Sequence, residues 1–186
     1  MTVELSLFDP AKTYQGMKQF DCGHAVINKF VAGSLKQQVR NGLSVAYVLT
    51  DSANNDHFVG FYTIAQHTIA NTSLSAVEKK SLPHTVPCTR LIMLGVDNAY
   101  KGRQFGLALM KSALTVAKTA SLQVGSYGVY LDADAGAVNF YDKLGFKLLE
   151  GNKSPDPSPM FIPFSAIGPG TSGGAVPPGG GTPGNP

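Results

Sequence analysis

The sequence predicts a mixed α/β fold of the α+β type, in which a central mixed, mostly antiparallel sheet of about six to seven strands is flanked by about four helices. An apolar run without alternation at residues 91–96 is typical of a strand that is buried on both faces. Apolar side chains recur at helical spacing over residues 106–117, directly downstream. Residues 44–51 and 57–69 are two strand-like stretches joined by a short polar turn, which predicts an antiparallel hairpin.

The N-terminal part is expected to contribute one strand and a helical pair. Residues 3–8 alternate sufficiently for a first strand, which the following Asp-Pro pair ends. From residue 20 onwards the spacing becomes helical, with Asp21 as a candidate N-cap. Gly33 is expected to kink this helix or to divide it into two. The apolar positions of the helical stripe are Val26, Ile27, Phe30, Val31 and Leu35.

Shorter elements complete the predicted order. A short helix is expected at residues 73–80, since serines near its start can cap it. Residues 126–132 alternate as a strand, and Asp134 is the expected cap of the helix that follows. The closing hairpin strands are predicted at residues 147–150 and 160–164.

The turn after the central strand has the composition of an anion-binding site. It reads Lys101-Gly102-Arg103-Gln104-Phe105-Gly106 and lies directly before a helix N-terminus. Two glycines, two cations and unpaired backbone N–H groups attract an anion there, most naturally a pyrophosphate. The turn is neither a Walker motif, which closes with Gly-Lys-Ser/Thr, nor a dinucleotide fingerprint with three spaced glycines. A glycine-rich turn that binds nothing is the structural alternative at this point.

A second cluster, at residues 137–146, reads Ala-Val-Asn-Phe-Tyr-Asp-Lys-Leu-Gly-Phe. Together with the Leu-Gly-Val-Asp strand end at residues 94–97 and the turn at residues 101–106, it resembles the GNAT N-acetyltransferase superfamily. The resemblance extends more weakly over residues 1–165. In that family a Leu-x-Val strand ends in an acidic residue and a Gln/Arg-x-x-Gly-x-Gly/Ala turn binds the pyrophosphate of acetyl-coenzyme A (acetyl-CoA). A later helix carries Ala-x-x-Phe-Tyr-x-x-x-Gly-Phe.

The resemblance implies the GNAT fold, acetyl-CoA as co-substrate and N-acetyltransferase activity. Tyr141 stands at the position of the family's proton donor to the departing thiolate, and a phenol of pKa about 10 keeps its proton at neutral pH. No metal site is expected. The residues that the resemblance implies for coenzyme binding are Leu94, Val96, Lys101, Gly102, Arg103, Gln104, Phe105, Gly106 and Asn139.

Two residues of the turn depart from the family pattern. Gln104 stands where the family usually has the middle glycine, and Lys101 stands where it usually has Gln or Arg. If the backbone at residue 104 needs positive φ, a side chain there is unfavourable and crowds the pyrophosphate. If that residue has helical φ and ψ, glutamine costs little and its amide can donate to a phosphate.

Two further segments resemble the GNAT toxins of bacterial type II toxin–antitoxin systems. Residues 20–30 are similar to the opening of these toxins, and residues 60–64, Gly-Phe-Tyr-Thr-Ile, to their Gly-Tyr-Tyr-Thr-Leu segment. The resemblance implies acetylation of the α-amine of aminoacyl-tRNA, which blocks translation, and a small DNA-binding antitoxin as partner. An Arg commonly precedes the Leu-Ala-Val-Asp strand end in such toxins, and here that position is Met93. Arg90 can substitute for it only if the fold brings the two positions together.

A basic stripe is the candidate acceptor-binding surface. Lys29, Lys36 and Arg40 fall at i, i+7 and i+11, so they line one face of the predicted helical region. Such a stripe can hold an RNA backbone through its phosphates. A solvated polar face is the alternative. Arg90 and the Lys79-Lys80 pair extend the stripe only if the fold gathers them.

No general base is evident from the sequence. His57, His67 and His84 are candidates, but a lone histidine in a strand or loop is more often structural. An α-amine of pKa about 7.7–8.0 is already partly neutral at cellular pH and does not require a base. Two alternatives to the tRNA toxin stay open: an acetyltransferase acting on a small-molecule or protein amine, and a catalytically silent binding module with the same fold.

Length and composition favour one domain with a distinct tail. Residues 1–167 are expected to fold together, and residues 168–186, with eight Gly, five Pro and no charge, to form a flexible tail or a fusion remnant. The net charge of +3 permits a polyanionic partner without demanding one. Two cysteines are too few for a disulfide scaffold, and no apolar run approaches the roughly 20 residues that span a bilayer. A cytoplasmic protein without a membrane partner is expected, with a homodimer as an open alternative to a monomer.

Overall fold

The computed structural model describes residues 2–77 and 81–168, and a seven-stranded sheet runs through this part of the chain. The order across the sheet is first, second, third, fourth, fifth, seventh and sixth strand. The mixed, mostly antiparallel sheet predicted from the sequence is therefore confirmed. The strands are β1 (Val3–Leu7), β2 (Val45–Asp51), β3 (His57–Ala70), β4 (Thr85–Val96), β5 (Gly128–Ala133), β6 (Lys147–Leu148) and β7 (Ser158–Pro163).

The parallel pair β4–β5 is the irregular part of this sheet. The two strands are in register only at Thr89 with Val129 and at Arg90 with Tyr130. Beyond Arg90, β4 continues along β3 as far as Val96, while β5 pairs with β7 along its whole length. The strands therefore diverge and leave a wedge-shaped opening, called the cleft below, between residues 91–96 and the end of β5.

β4 carries one extra residue opposite β3. Thr63 pairs with Met93 and Ile64 pairs with Leu91, so Ile92 has no cross-strand partner. A bulge of this kind shifts the alternation of faces by one residue. Arg90 and Met93 consequently lie on the same face of the sheet, although they are three positions apart.

Four α-helices flank the sheet within the described residues. The predicted helical pair is confirmed, because Ser34 ends α1 and begins α2. One side of α3 is fully buried, at Leu109, Met110, Ala113, Leu114 and Ala117, which confirms the stripe read from the sequence. The helices are α1 (Ala25–Gly33), α2 (Leu35–Arg40), α3 (Phe105–Val124) and α4 (Val138–Lys143).

Each face of the sheet has its own hydrophobic core. On one face, Leu91 of β4 and Leu131 of β5 pack with the buried side of α3. On the opposite face, α1 and α2 cover an aromatic cluster that includes Phe30, Phe58 and Phe61. We call these the α3 face and the α1 face. The cleft opens between the two cores, so it can be approached from the α1 face only where α1 does not cover it.

Both predicted helix caps are wrong. α1 begins four residues after Asp21, because Gly23 takes a left-handed φ of 80° that delays the helix. The Asp21 carboxylate instead accepts hydrogen bonds from the Gly23 N–H (2.8 Å) and the Asn28 amide (2.7 Å). At α4 the N-cap residue is Ala137, whose N–H donates to the backbone carbonyl of Asp134 (2.8 Å), which leaves the Asp134 carboxylate free for another partner.

The predicted helix at residues 73–80 is also wrong where the structure describes it. A 3₁₀ helix at Asn71–Leu74 replaces it. Asn71 holds this segment as a loop, since its N–H donates to the carbonyl of His84 and its amide to the carbonyl of Leu82, both at 2.9 Å. The end of that predicted helix, with the Lys79-Lys80 pair, and the tail from residue 169 onwards lie outside the described residues.

Candidate active site

The end of β4 fixes the direction in which the chain enters the predicted phosphate turn. The Asp97 N–H donates to the carbonyl of Val59 on β3 (2.9 Å), which is the last sheet bond of β4. The Asp97 carboxylate then accepts hydrogen bonds from the N–H groups of Ala99 (2.9 Å) and Asp21 (3.1 Å). The turn is therefore tied both to the sheet and to the segment before α1.

The turn contains two residues in the left-handed region, Gly102 with φ 78° and Gln104 with φ 61°. Gln104 precedes α3 and its carbonyl accepts the N–H of Ala108 (3.0 Å), so this φ sets the start of the helix. An L-residue in this region costs about 1–2 kcal/mol relative to a right-handed one. The sequence is compatible with two conformations of Gln104, one with positive φ and one with helical φ and ψ. The structure has the positive φ, which favours glycine.

Open space surrounds the glycines and the start of α3. A Cβ atom added to Gly102 or to Gly106 would have no atom within 4 Å. The N–H groups of Phe105, Gly106 and Leu107 belong to the first turn of the helix and have no partner inside it. Free N–H groups at the positive end of a 20-residue helix, next to room for a ligand, fit an anionic group such as a pyrophosphate.

The two cations of the turn have different surroundings. The Lys101 ammonium donates to the backbone carbonyl of Cys22 (2.9 Å) and so holds the segment before α1 against the turn. The Arg103 guanidinium lies over the ring of Tyr100, with 5.6 Å between its carbon and the ring centroid. A direct role for either side chain at the coenzyme stays a prediction.

The edge of β4 that faces the cleft offers backbone groups to a ligand. The Asp97 N–H points to β3, and N–H directions alternate along a strand, so the N–H groups of Leu94 and Val96 point away from β3. β5 has left the sheet at this level. Leu94 and Val96 are therefore placed to pair with an extended, amide-containing arm in the manner of an added strand.

Tyr141 lies on α4 beside the end of β5. Its ring packs at right angles to Phe140 and Phe146, with centroids 5.1 and 5.7 Å away. Burial, and to a smaller extent the nearby Asp134 carboxylate, raise the pKa of the Tyr141 hydroxyl to about 12. The phenol is therefore protonated at neutral pH and holds a proton that it can donate. Asn139 of the same helix is exposed.

Two side-chain contacts, the second of them an ion pair, link elements across the α1-face side of the cleft. The His24 imidazole, directly before α1, lies 2.9 Å from the Asp134 carboxylate after β5. The Arg90 guanidinium of β4 lies 2.8 Å from the Asp132 carboxylate of β5. Because β4 and β5 last pair at Arg90, this ion pair stands at the point where the cleft begins.

Two more side chains surround the Arg90–Asp132 pair. The Tyr130 hydroxyl donates to the second oxygen of Asp132 (2.7 Å), and burial raises the pKa of Tyr130 to about 12. The His67 ring lies 5.2 Å from the Tyr130 ring. Burial, followed by the positive charge of Arg90, lowers the pKa of His67, so its imidazole is predominantly neutral at physiological pH.

The predicted basic stripe is only partly assembled. Lys36 and Arg40 lie on α2, where the Lys36 ammonium donates to the carbonyl of Lys12 (2.7 Å) and the Arg40 guanidinium to that of Pro10 (3.1 Å). Both line a groove of about 620 Å³ between α1–α2 and residues 13–19, together with Lys18. Lys29 is exposed on α1 and does not line this groove. Arg90 is not part of the stripe, because it is paired with Asp132.

Three residues near the cleft were not singled out from the sequence: His24, Tyr130 and Asp132. The available signal was the alternation in residues 126–132, which places Tyr130 and Asp132 on the face opposite Leu131. Their partners on other elements, such as Arg90 for Asp132 and His67 for Tyr130, are distant along the chain, so only the fold identifies them. Among the described residues no three His, Cys, Asp or Glu side chains gather as a metal site would require, and none of the described helices is long and apolar enough to cross a membrane.

The strand pair opens into a cleft, a turn suited to anion binding lies at the end of one strand, and the partly buried phenol of Tyr141 lies beyond the other. This arrangement fits a coenzyme-dependent acyltransferase. The chain belongs to the Acetyltransferase (GNAT) family, whose sequence profile matches residues 32–146. It is accordingly an N-acetyltransferase that uses acetyl-CoA.

Its relatives include bacterial toxins. The chain is 25% identical over 158 residues to the probable toxin TacT of Sinorhizobium fredii, a match that covers 80% of this chain and 84% of that protein. A crystal structure of a bacterial toxin is similar with a TM-score of 0.84 and 36% identity, over 89% of this chain and 93% of the other. AtaT complexed with acetyl-methionyl-tRNAfMet is similar with a TM-score of 0.79 and 27% identity, over 89% of this chain and 97% of the other.

Proposed function

We propose that this enzyme transfers the acetyl group of acetyl-CoA to the α-amine of aminoacyl-tRNA and so acts as a translation-blocking toxin. The single observation that carries the proposal is the likeness, over nearly the whole folded chain, to AtaT in complex with acetyl-methionyl-tRNAfMet. The similarity to the probable toxin TacT supports the same conclusion. Charged tRNA is found where translation takes place, so the proposed site of action is the cytoplasm.

The described residues suggest how the coenzyme is held. The N–H groups at the start of α3 and the open glycines Gly102 and Gly106 bind the pyrophosphate. From there the pantetheine arm follows the free edge of β4 past Val96 and Leu94 towards the bulge at Ile92. An N–H group of this edge also polarises the thioester carbonyl, since developing negative charge on that oxygen is stabilised by a fixed donor.

Tyr141 is the proposed proton donor. Attack of the amine on the thioester carbon forms a C–N bond and breaks the C–S bond, and the departing thiolate needs a proton. A buried phenol with a pKa of about 12 holds its proton until a thiolate forms beside it. The phenolate formed in this step is reprotonated from water, so the hydroxyl is ready for the next turnover.

The partner is proposed by the same likeness. AtaT has been observed bound to the C-terminus of the antitoxin AtaR and acetyl-CoA, in a structure that is 26% identical to this chain with a TM-score of 0.74. We therefore expect a small DNA-binding antitoxin that inhibits this enzyme. Residues 1–167 are proposed as the catalytic domain and residues 168–186 as a separate tail.

A small-molecule or protein amine is the second candidate acceptor. It is favoured by the two carboxylates, Asp132 and Asp134, which lie on the acceptor side of the cleft. It is also favoured by the engagement of Lys36 and Arg40 with backbone carbonyls, which leaves them fewer donors for phosphates.

The deciding experiment uses labelled acetyl-CoA and total charged tRNA with the native protein and with Tyr141→Phe. After nuclease digestion, N-acetyl-aminoacyl adenosine is identified by mass spectrometry. We expect label on aminoacyl groups and a loss of about 100-fold or more in rate for Tyr141→Phe, with unchanged acetyl-CoA affinity. Absence of label on tRNA, with acetyl-CoA still bound, would reject the tRNA acceptor and direct the search to small amines and proteins.

A further inference from the structure

The Arg90–Asp132–Tyr130 cluster has a position that structural stabilisation alone does not require. It extends from the last position at which β4 and β5 pair, Arg90 with Tyr130, to Asp132, two residues further along β5. Both oxygens of Asp132 are oriented, one by the Arg90 guanidinium (2.8 Å) and the other by the Tyr130 hydroxyl (2.7 Å). The Asp132 side chain is still 27% exposed, so a further donor can reach the carboxylate.

The cluster lies on the face from which an acceptor must approach. The α3 face of the cleft is closed, because Leu91 and Leu131 pack there with α3. The bulge at Ile92 places Arg90 on the same, opposite face as Met93. An amine that reaches a thioester held against β4 near the bulge therefore arrives beside Asp132.

Asp132 is the suitable carboxylate of the two on this side. Asp134 is bound to His24 (2.9 Å) on the outer side of the cleft and is 52% exposed. Asp132 is less exposed, and its position is fixed by two donors, so it is already oriented before an acceptor binds. The Nε atom of Arg90 is buried without a hydrogen-bond partner, which leaves one more donor at this point.

We propose that Asp132 is a catalytic residue that accepts a hydrogen bond from the acceptor amine and stabilises the positive charge that develops on its nitrogen, with Arg90 and Tyr130 as the positioning residues. This inference rests on the proposed acetyl transfer to an α-amine, and it adds the group that receives that amine. Two other titratable groups lie near the cluster: His67, which contacts the Tyr130 ring, and the Cys88 thiol, which acts on Tyr130.

The proton balance of the step is as follows. The neutral amine attacks the thioester carbon, and as the C–N bond forms its nitrogen gains positive charge and must lose one proton. The Asp132 carboxylate holds that N–H and passes the proton to the water that its exposed part contacts. The C–S bond breaks, and the thiolate takes one proton from Tyr141. One proton leaves the nitrogen and one reaches the sulfur, so the products are an amide and the free thiol.

The test compares Asp132→Asn with Asp142→Asn, using the methyl ester of an amino acid as acceptor. Asp142 is the matched control, because it also forms an ion pair at 3.0 Å, with Lys147, but on the exposed end of α4. We expect Asp132→Asn to lower kcat by about 10- to 100-fold while acetyl-CoA affinity is unchanged. Asp142→Asn should stay within about twofold of the native enzyme, since exposed ion pairs contribute little.

The amino acid ester separates this inference from the proposed function. Failure of the native enzyme on charged tRNA, with the ester still acetylated, rejects the tRNA acceptor and leaves the role of Asp132 measurable. Asp132→Asn with a native kcat would overturn the inference. If Asp132→Asn also loses acetyl-CoA binding, Tyr130→Phe is the variant that tests the role of Asp132, because it removes one donor and keeps the carboxylate. A lower kcat of Tyr130→Phe at unchanged acetyl-CoA affinity supports that role. A native kcat overturns it.

Discussion

The two sides of the cleft are built in different ways. The proposed coenzyme side consists mainly of backbone groups, namely the start of α3, the turn and the free edge of β4, with Tyr141 as its proposed reactive side chain. The proposed acceptor side consists of side-chain pairs, His24 with Asp134 and Arg90 with Asp132. Backbone groups recognise the constant part of a coenzyme through local geometry. Side-chain pairs can be exchanged residue by residue, so they suit the part of the site that selects an acceptor.

The largest expected effect is a loss of acetyl-CoA affinity when the open space beside the turn is filled. Gly106→Val should weaken acetyl-CoA binding by about 100-fold, or about 2.7 kcal/mol, because its side chain occupies the open volume at the start of α3. Gly33→Val is the matched control, since Gly33 is also helical and also has no atom within 4 Å of an added Cβ. Isothermal titration should show native affinity for the control. Equal affinities for the two variants would place the pyrophosphate elsewhere.

The buried phenol predicts a loss of stability at high pH. The pKa of Tyr141 is about 12 in the folded protein, whereas an unfolded tyrosine titrates near about 10. Below the unfolded pKa both states keep the proton and this group gives no pH dependence. Between the two values the unfolded state releases its proton first, so the free energy of unfolding falls by roughly 1.4 kcal/mol per pH unit.

Urea unfolding at several pH values between about 9 and about 11.5 measures this dependence. Tyr141→Phe should reduce the slope without removing it, because burial also raises the pKa of Tyr62. An identical slope in the native protein and the variant would show that the Tyr141 hydroxyl is not buried in solution.

A smaller effect is expected at Gln104, where the coenzyme side contains a strained residue. Gln104→Gly relieves about 1–2 kcal/mol of left-handed strain and loses about 0.5–1 kcal/mol to the greater freedom of glycine in the unfolded chain. The net result is a stabilisation between about zero and about 1.5 kcal/mol. Gln104→Ala keeps a side chain at the same positive φ, so the left-handed strain remains and the variant should not be more stable than the native protein. Thermal unfolding of the two variants checks the order, and a more stable alanine variant would contradict the observed φ.

The smallest effect is expected at the outer contact of the proposed acceptor side, between His24 and Asp134. Asp134→Asn should change the free energy of unfolding by about 1 kcal/mol or less, because both partners are substantially exposed. It should also lower the pKa of Tyr141, since the Asp134 charge is one of the two causes that raise it. Spectrophotometric titration of the tyrosines measures the shift. An unchanged titration would mean that the carboxylate does not act on the phenol in solution.

Local patterns were sufficient to predict the strand, turn and helix that form the proposed coenzyme side. Residues 101–106 and 137–146 are contiguous, and the order of strand, turn and helix follows from their spacing. The division of the helical pair near Gly33 and the buried stripe of α3 follow from the same short-range information. Local patterns failed at the helix caps, because the Asp21 carboxylate accepts the Gly23 N–H and the Asp134 carboxylate lies against the His24 imidazole, which is distant along the chain.

The sequence by itself determined the family resemblance, the α/β architecture and the candidate proton donor Tyr141, because each depends on residues close together in the chain. Only the tertiary structure decided how the acceptor side is composed. The bulge at Ile92 places Arg90 on the same face of the sheet as Met93. Asp132 lies two residues beyond the last position of β5 that pairs with β4, and its carboxylate is 2.8 Å from the Arg90 guanidinium. The physical reason is that one extra residue in a strand exchanges the faces on which all later side chains of that strand lie. The amino-acid sequence alone does not show where that extra residue is.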